Sequence, residues 1–189
     1  MVASGPDITA LLSRYGDGDS AALSELMPLV YGELKKIASR QLRGMGGNGL
    51  NTTGLVNDLY IKIASQDPRA VNNRGHFYAL AARAMRNLLV DHLRARSAAK
   101  RNDGEAPLPL DEELAGTPDL AAFWLNVDGA LTELSERDPR LVKLLECRVF
   151  GGYSFQETAD VLEVSVRTVE RDWMRAKAWL RARLDRGEA

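Results

Sequence analysis

Apolar residues recur every three or four positions through most of the chain, and no segment shows the strict alternation of a half-buried strand. Residues 7–15 read as a short helix that stops at Gly16-Asp17-Gly18. From Asp19 to Leu42, the residues Leu23, Leu26, Met27, Val30, Leu34, Ile37 and Ala38 form one stripe along an amphipathic helix. Pro28 falls inside it, which predicts a kink or a split. The glycine run from Gly44 to Gly49 ends it. With no Lys-Ser/Thr pair after it and no strand before it, that run reads as a flexible turn rather than a phosphate loop. The next helix opens near Thr52-Thr53, either of which can cap it, and buries Leu55, Val56, Leu59 and Ile63. Asp67-Pro68 breaks the pattern. A long helix from about Gly75 to Lys100 then carries Phe77, Leu80, Ala81, Ala84, Met85, Leu88 and Leu89 on its inner side. Four helices with matching apolar stripes predict a compact all-α domain.

Residues 102–120, NDGEAPLPLDEELAGTPDL, change character, with six acidic residues, no basic one and three prolines. This stretch reads as an acidic flexible linker, partly extended and too charged to pack stably on either neighbour. Thr117 can cap the following helix, with Pro118 at its first position. That helix is expected to bury Leu120, Phe123, Trp124, Val127, Leu131 and Leu134. Another starts at Asp138-Pro139 and carries Val142, Leu145 and Val149 to a stop at Gly151-Gly152. The expected fold is therefore all-α, as two small helical domains joined by the linker.

From Gly151 the chain reads GGYSFQETADVLEVSVRTVERDWMRAKAWLRARL. Ser154, followed three residues later by Glu157, is a capping box that opens a short helix through Glu163. Val164-Ser165 makes a tight turn, and Ser165 can cap the last helix. There Val166, Val169, Trp173, Ala176, Leu180 and Leu184 form a buried seam, opposite Arg167, Thr168, Arg171 and Arg175. A short capped helix, a tight turn and a longer cationic helix make the helix-turn-helix layout, whose second helix enters the major groove. Arg reaches guanine edges bidentately, while neighbouring polar residues hold phosphates. Ser165, Arg167, Thr168, Arg171 and Arg175 are thus the expected DNA-facing set.

Charge sharpens this picture through its distribution. The chain holds 25 basic and 26 acidic residues, a net of −1. Residues 74–101 nevertheless carry seven Arg/Lys against one acid, and residues 166–186 carry seven against three. Two cationic faces flank an acidic linker, and Arg83, Arg86, Arg94 and Arg96 on the long helix form a second candidate DNA-binding group. One Cys and two His exclude a disulfide framework and argue against a Cys/His zinc site. No metal cluster, triad or nucleotide loop suggests catalysis or a cofactor. Cys147, Trp124 and Trp173 read as core, His76 as part of the long helix's start and His92 as a surface group. No apolar run approaches the ~20 residues that span a bilayer, so the expected setting is the cytoplasm, without a membrane.

The stretches GHFYALAARAMRNLLVDHLRAR and FGGYSFQETADVLEVSVRTVERDWMRAKAWLRARL resemble the bacterial extracytoplasmic-function (ECF) sigma factors, over almost the whole chain. The resemblance implies a promoter-melting and polymerase-binding domain at 8–101, a linker at 102–118 and a promoter-binding domain at 119–187. It implies core RNA polymerase and promoter DNA as partners, leaves room for an anti-sigma factor, and brings no catalytic residue. The family usually opens its second conserved helix with acids, in a pattern like D-A-E-D-L-V-Q-D, that meet a basic polymerase surface. Here the aligned residues are Asn51-Thr52-Thr53-Gly54-Leu55-Val56-Asn57-Asp58, and only Asp58 keeps its charge. Leu55, Val56 and Asp58 are the expected polymerase contacts. The Thr-Thr pair resembles an atypical ECF subgroup, which implies control by a Ser/Thr protein kinase acting on Thr53 or Thr52. A phosphate there would supply the missing anionic charge at a helix N-terminus. Without the resemblance, the same motif also fits a stand-alone helix-turn-helix regulator that binds DNA without polymerase.

Overall fold

Local signals fix most of the helix starts. In a computed structural model of the chain, residues 7–43, 51–65, 73–102 and 118–185 are described. α1 spans Ile8–Gly16, with the Asp7 carboxylate accepting from the Thr9 amide at 2.9 Å. α2 spans Ser20–Gln41, capped the same way by Asp19 on Ala21 at 3.0 Å. Between them Gly18 takes φ +98°, a conformation open to glycine. α2 runs through Pro28 without the expected split. Pro28 and Ser24 share the exposed side, so the Ser24 carbonyl that loses its helical donor faces water, while Leu26 and Val30 anchor both flanks in the core.

α3 spans Thr52–Ala64 and α4 spans Arg74–Asn102. α5 covers Pro118–Arg137, and α6 covers Pro139–Leu145 with Asp138 as its cap. α6 continues as a π-helical turn, Glu146–Gly151, that ends on left-handed Gly152. α7 is Phe155–Leu162 and α8 is Val166–Asp185. The described residues contain helices and turns alone, so the chain is all-α. The glycine run and most of the linker, residues 103–117, lie outside the described residues.

One continuous core draws on both halves of the chain. Leu26, Leu34, Leu55 and Leu59 from the first half and Leu131, Leu144, Phe150 and Val169 from the second belong to the same buried cluster. α4 runs through the middle and buries Phe77, Ala81, Met85 and Leu89. Gln41 donates to the Ala82 carbonyl at 2.9 Å within the first half, and Tyr153 donates across the junction to the Gly75 carbonyl at 2.7 Å. Arg40 of α2 donates to the Gly151 carbonyl in the π turn. Two positions expected inside are exposed instead, Phe123 at 47% and Val149 at 43%. Trp124, expected inside with Phe123, does pack on Phe150, with ring centres 5.5 Å apart. The π turn adds a residue to the helical repeat and so rotates Val149 outward.

Candidate nucleic-acid interface

α7 and α8 owe their relation to short-range chemistry. The Ser154 hydroxyl accepts from the Glu157 amide at 3.1 Å, and the Glu157 carboxylate accepts from the Ser154 amide at 2.7 Å. Those bonds hold the Glu157 carboxyl below its usual range. Thr158, fully buried, donates to the Ser154 carbonyl at 2.8 Å. Glu163 then turns left-handed, with φ 54°, and ends α7. Ser165 accepts from the Thr168 amide at 3.2 Å, and the two hydroxyls lie 2.8 Å apart. α8 therefore starts at a fixed point, with three residues between it and the end of α7.

Along α8, Val169 and Ala176 are buried, and Trp173, Trp179, Leu180 and Leu184 pack half-buried against the core. Arg167, Arg171 and Arg175 are exposed, and Thr168 is half-buried. Asp172, only 2% exposed, gathers three arginines: Arg140 of α6, and Arg171 and Arg175 at 3.4 Å each. One buried carboxylate thus ties α8 to α6 and holds two cations near the exposed face. Arg183 meets Glu133 of α5 at 2.7 Å and fixes the far end of the helix. Arg148, which the sequence did not single out, sits 4.1 Å from the centre of the Phe155 ring and 5.4 Å from that of Trp173. It also donates to the Tyr153 carbonyl, so it braces the turn ahead of α7.

The cations of α4 are placed differently. Arg86 was expected on a DNA-facing surface, and that expectation is corrected: the residue is 7% exposed. Its guanidinium meets Asp128 of α5 at 2.5 Å and Glu146 at 3.4 Å, over the Phe150 ring. Arg83 and Arg94 stay exposed, yet Arg83 lies 3.5 Å from Glu146 and Arg94 donates to Asp128 at 2.8 Å. The side chain of Arg96 lies outside the described residues. Two acids, Asp128 and Glu146, therefore draw three arginines of α4 toward the second half of the molecule. Burial pushes the Glu146 carboxyl up, against the pull of Arg83 and Arg86. Burial, with Glu146 adjacent, also pushes the Cys147 thiol up to about 12, which keeps it protonated and inert.

The family model for ECF sigma factors matches residues 6–186, through both cationic helices. The chain belongs to the ECF sigma factor family. A solved structure of CnrH in complex with the cytosolic domain of CnrY is 23% identical, with a TM-score of 0.39, and the match covers 95% of this chain and 98% of that one. The comparison with curated proteins returns no match. Among the described residues of this sigma factor, no helix is long and apolar enough to cross a membrane.

The start of α3 in this sigma factor corrects two further expectations. Its cap is Asn51, whose side chain accepts from the Gly54 amide at 2.8 Å, and not Thr52 or Thr53. Leu55 and Val56, expected to touch a partner, are both 0% exposed. They hold α3 to the core and present nothing outward. The outward face carries Thr53, Asn57, Asp58 and Ile61 instead, with Ile61 66% exposed. Its spacing of four and eight residues from Asn57 and Thr53 was the signal that marks it as a surface apolar group.

Proposed function

We propose that this sigma factor binds core RNA polymerase and directs it to promoters. Residues 119–187 serve as the promoter-binding part, a helix-turn-helix whose α8 reads the minus-thirty-five element through Arg167 and Arg171. Ser165, Thr168 and Arg175 hold the flanking phosphates. Residues 8–101 bind polymerase and melt the minus-ten element, with Arg83, Arg94 and Arg96 on α4 holding the separated strand. Residues 102–118 tether the two parts. The single observation that carries the reading is the capped turn from α7 into α8, which leaves Arg167, Arg171 and Arg175 exposed on one long helix.

The outward face of α3 is the polymerase contact in this reading, through Asp58 and Ile61. Its low charge makes polymerase binding depend on phosphate supplied to Thr53 or Thr52 by a Ser/Thr kinase. An anti-sigma factor is a further partner that would compete for the same surfaces. Run-off transcription with purified core polymerase tests this directly, using unmodified and kinase-treated protein. Transcripts that start at one promoter class and increase with phosphate are expected. Promoter binding by a dimer, with no polymerase association in either state, would replace the proposal with a stand-alone regulator.

A further inference from the structure

Beside the start of α3 lies a hollow of about 480 Å³ built from cations of α2. Lys35, Lys36, Ser39, Arg40 and Arg43 line it together with Thr52, and no carboxylate does so among the described residues. The two threonines separate here, since Thr53 is exposed while Thr52 is half-buried against this wall. Basic residues near a helix C-terminus ordinarily complement its dipole, and that accounts for Arg40 and Arg43. It does not account for Lys35 and Lys36, which stand more than a turn before the end of α2 at Gln41. Their present partners are modest: Lys36 meets Glu33 at 2.9 Å, and Lys35 sits 5.8 Å from the centre of the Tyr31 ring. Four like charges around one hollow repel one another until an anion enters.

We propose that this hollow receives a phosphate carried by Thr52, and that the phosphate takes Arg40 from the Gly151 carbonyl and loosens the junction between α2 and the turn ahead of α7. The inference rests on the reading of α3 as a kinase target and gives the two threonines different roles. A Ser/Thr kinase moves the γ-phosphoryl group of ATP to the Thr52 hydroxyl oxygen. The new O–P bond forms as the bond from the γ-phosphorus to the bridging oxygen breaks, ADP leaves, and the hydroxyl proton passes to the kinase. The product carries about −1.5 to −2 charge and three acceptor oxygens, suited to several Lys and Arg donors at once. A phosphate on Thr53 faces outward beside Asp58 and changes the surface offered to polymerase. A phosphate on Thr52 faces inward and acts on the protein itself.

Arg40 links the two effects. Its guanidinium lies flush on the Gly151-Gly152 backbone, so close that a Cβ added at Gly152 would come within 2.0 Å of Nη1. Drawing Arg40 back toward Thr52 removes the polar tie between α2 and the turn ahead of α7.

The test uses full-length protein with phosphothreonine installed during translation at position 52 or at position 53, so that no kinase is needed. Phosphorus NMR follows the second ionisation of each phosphate. Neighbouring cations favour the dianion, so the phosphate at 52 should titrate about half a pH unit below the one at 53. Lys36→Gln with Arg43→Gln should shrink that difference. Spin labels at Ser24 and Gln156, on opposite sides of the junction, should report a broader distance distribution for the protein phosphorylated at 52 alone. Equal titration midpoints overturn the hollow as a phosphate site, and an unchanged distance distribution overturns the role of Arg40. Polymerase affinity is read separately on the same samples. No gain from phosphate at 53 overturns the underlying reading of α3, while the titration at 52 still decides the hollow.

Discussion

α4 and α8 are both arginine-rich amphipathic helices, yet they use their charge in opposite ways. On α4, Arg86 is buried between Asp128 and Glu146, and Arg83 and Arg94 reach for the same two acids. On α8, Arg167, Arg171 and Arg175 are exposed; Asp172 of their own helix attracts Arg171 and Arg175, and Arg175 also lies 3.8 Å from Asp138. α4 thus buries one cation, Arg86, and leans the exposed Arg83 and Arg94 on acids of the other half, while α8 keeps Arg167, Arg171 and Arg175 at the surface. Local net charge measures how many cations a segment has. Availability to a polyanion depends on what else the fold brings within reach.

The largest effect should come from breaking the buried pair. Arg86→Ala leaves Asp128 and Glu146 without their shared buried partner, and stability should fall by about 3–5 kcal/mol. Urea unfolding measures it. A loss under about 1 kcal/mol would mean that the guanidinium is solvated, and α4 would then resemble α8 after all. The reverse experiment belongs to α8. Arg167→Ala or Arg171→Ala should each lower promoter affinity by about 1–3 kcal/mol, with lost preference at one base pair. Stability should stay within about 0.5 kcal/mol of the parent. Fluorescence anisotropy on promoters altered base by base separates the two readouts.

A smaller effect follows from the capping that sets α8 in place. Ser165→Ala removes the acceptor for the Thr168 amide and should lower stability by about 1 kcal/mol, visible as a lower melting temperature. An unchanged melting temperature would mean that packing of Val169 and Ala176 alone positions the helix.

The last prediction concerns pH, and its sign differs between the two regions. Burial raises the Glu146 carboxyl above its ordinary 4.5. Between 4.5 and that raised value the folded protein keeps a proton that the unfolded chain has released. The Glu146 contribution to stability therefore falls as pH rises through this window. The bonds to Ser154 lower the Glu157 carboxyl below its ordinary 4.5, so its contribution is present above 4.5 and is lost as pH falls through the lowered value. Carbon-detected NMR titration should place Glu146 above Glu157. Glu146→Gln should remove the first slope and Glu157→Gln the second, and coincident midpoints would erase the contrast.

The sequence by itself determined the helices, most of their ends and the layout of α7 and α8. Apolar spacing, the Ser154–Glu157 box, Asp138-Pro139 and Ser165 act over three or four residues, a range within which the chain needs no tertiary partner. The same spacing held a hint about Arg86, which falls four residues after Ala82 and three before Leu89, inside the apolar stripe. Asp128 stands likewise within the stripe of Trp124, Val127 and Leu131. What no local rule supplied was their meeting. Arg86 finds Asp128 and Glu146 at separations of 42 and 60 residues, and Arg40 finds Gly151 at a separation of 111. The packing of α4 against α5 and of both α4 and α2 against the π turn decided those pairs. The packing of α3 on α2 likewise set Thr52 against the cations of α2, whereas the inward Leu55 and Val56 and the outward Ile61 follow the spacing within α3 itself. A charged side chain is held by whichever partner reaches it as water is excluded, and the arrangement of the helices decides that partner.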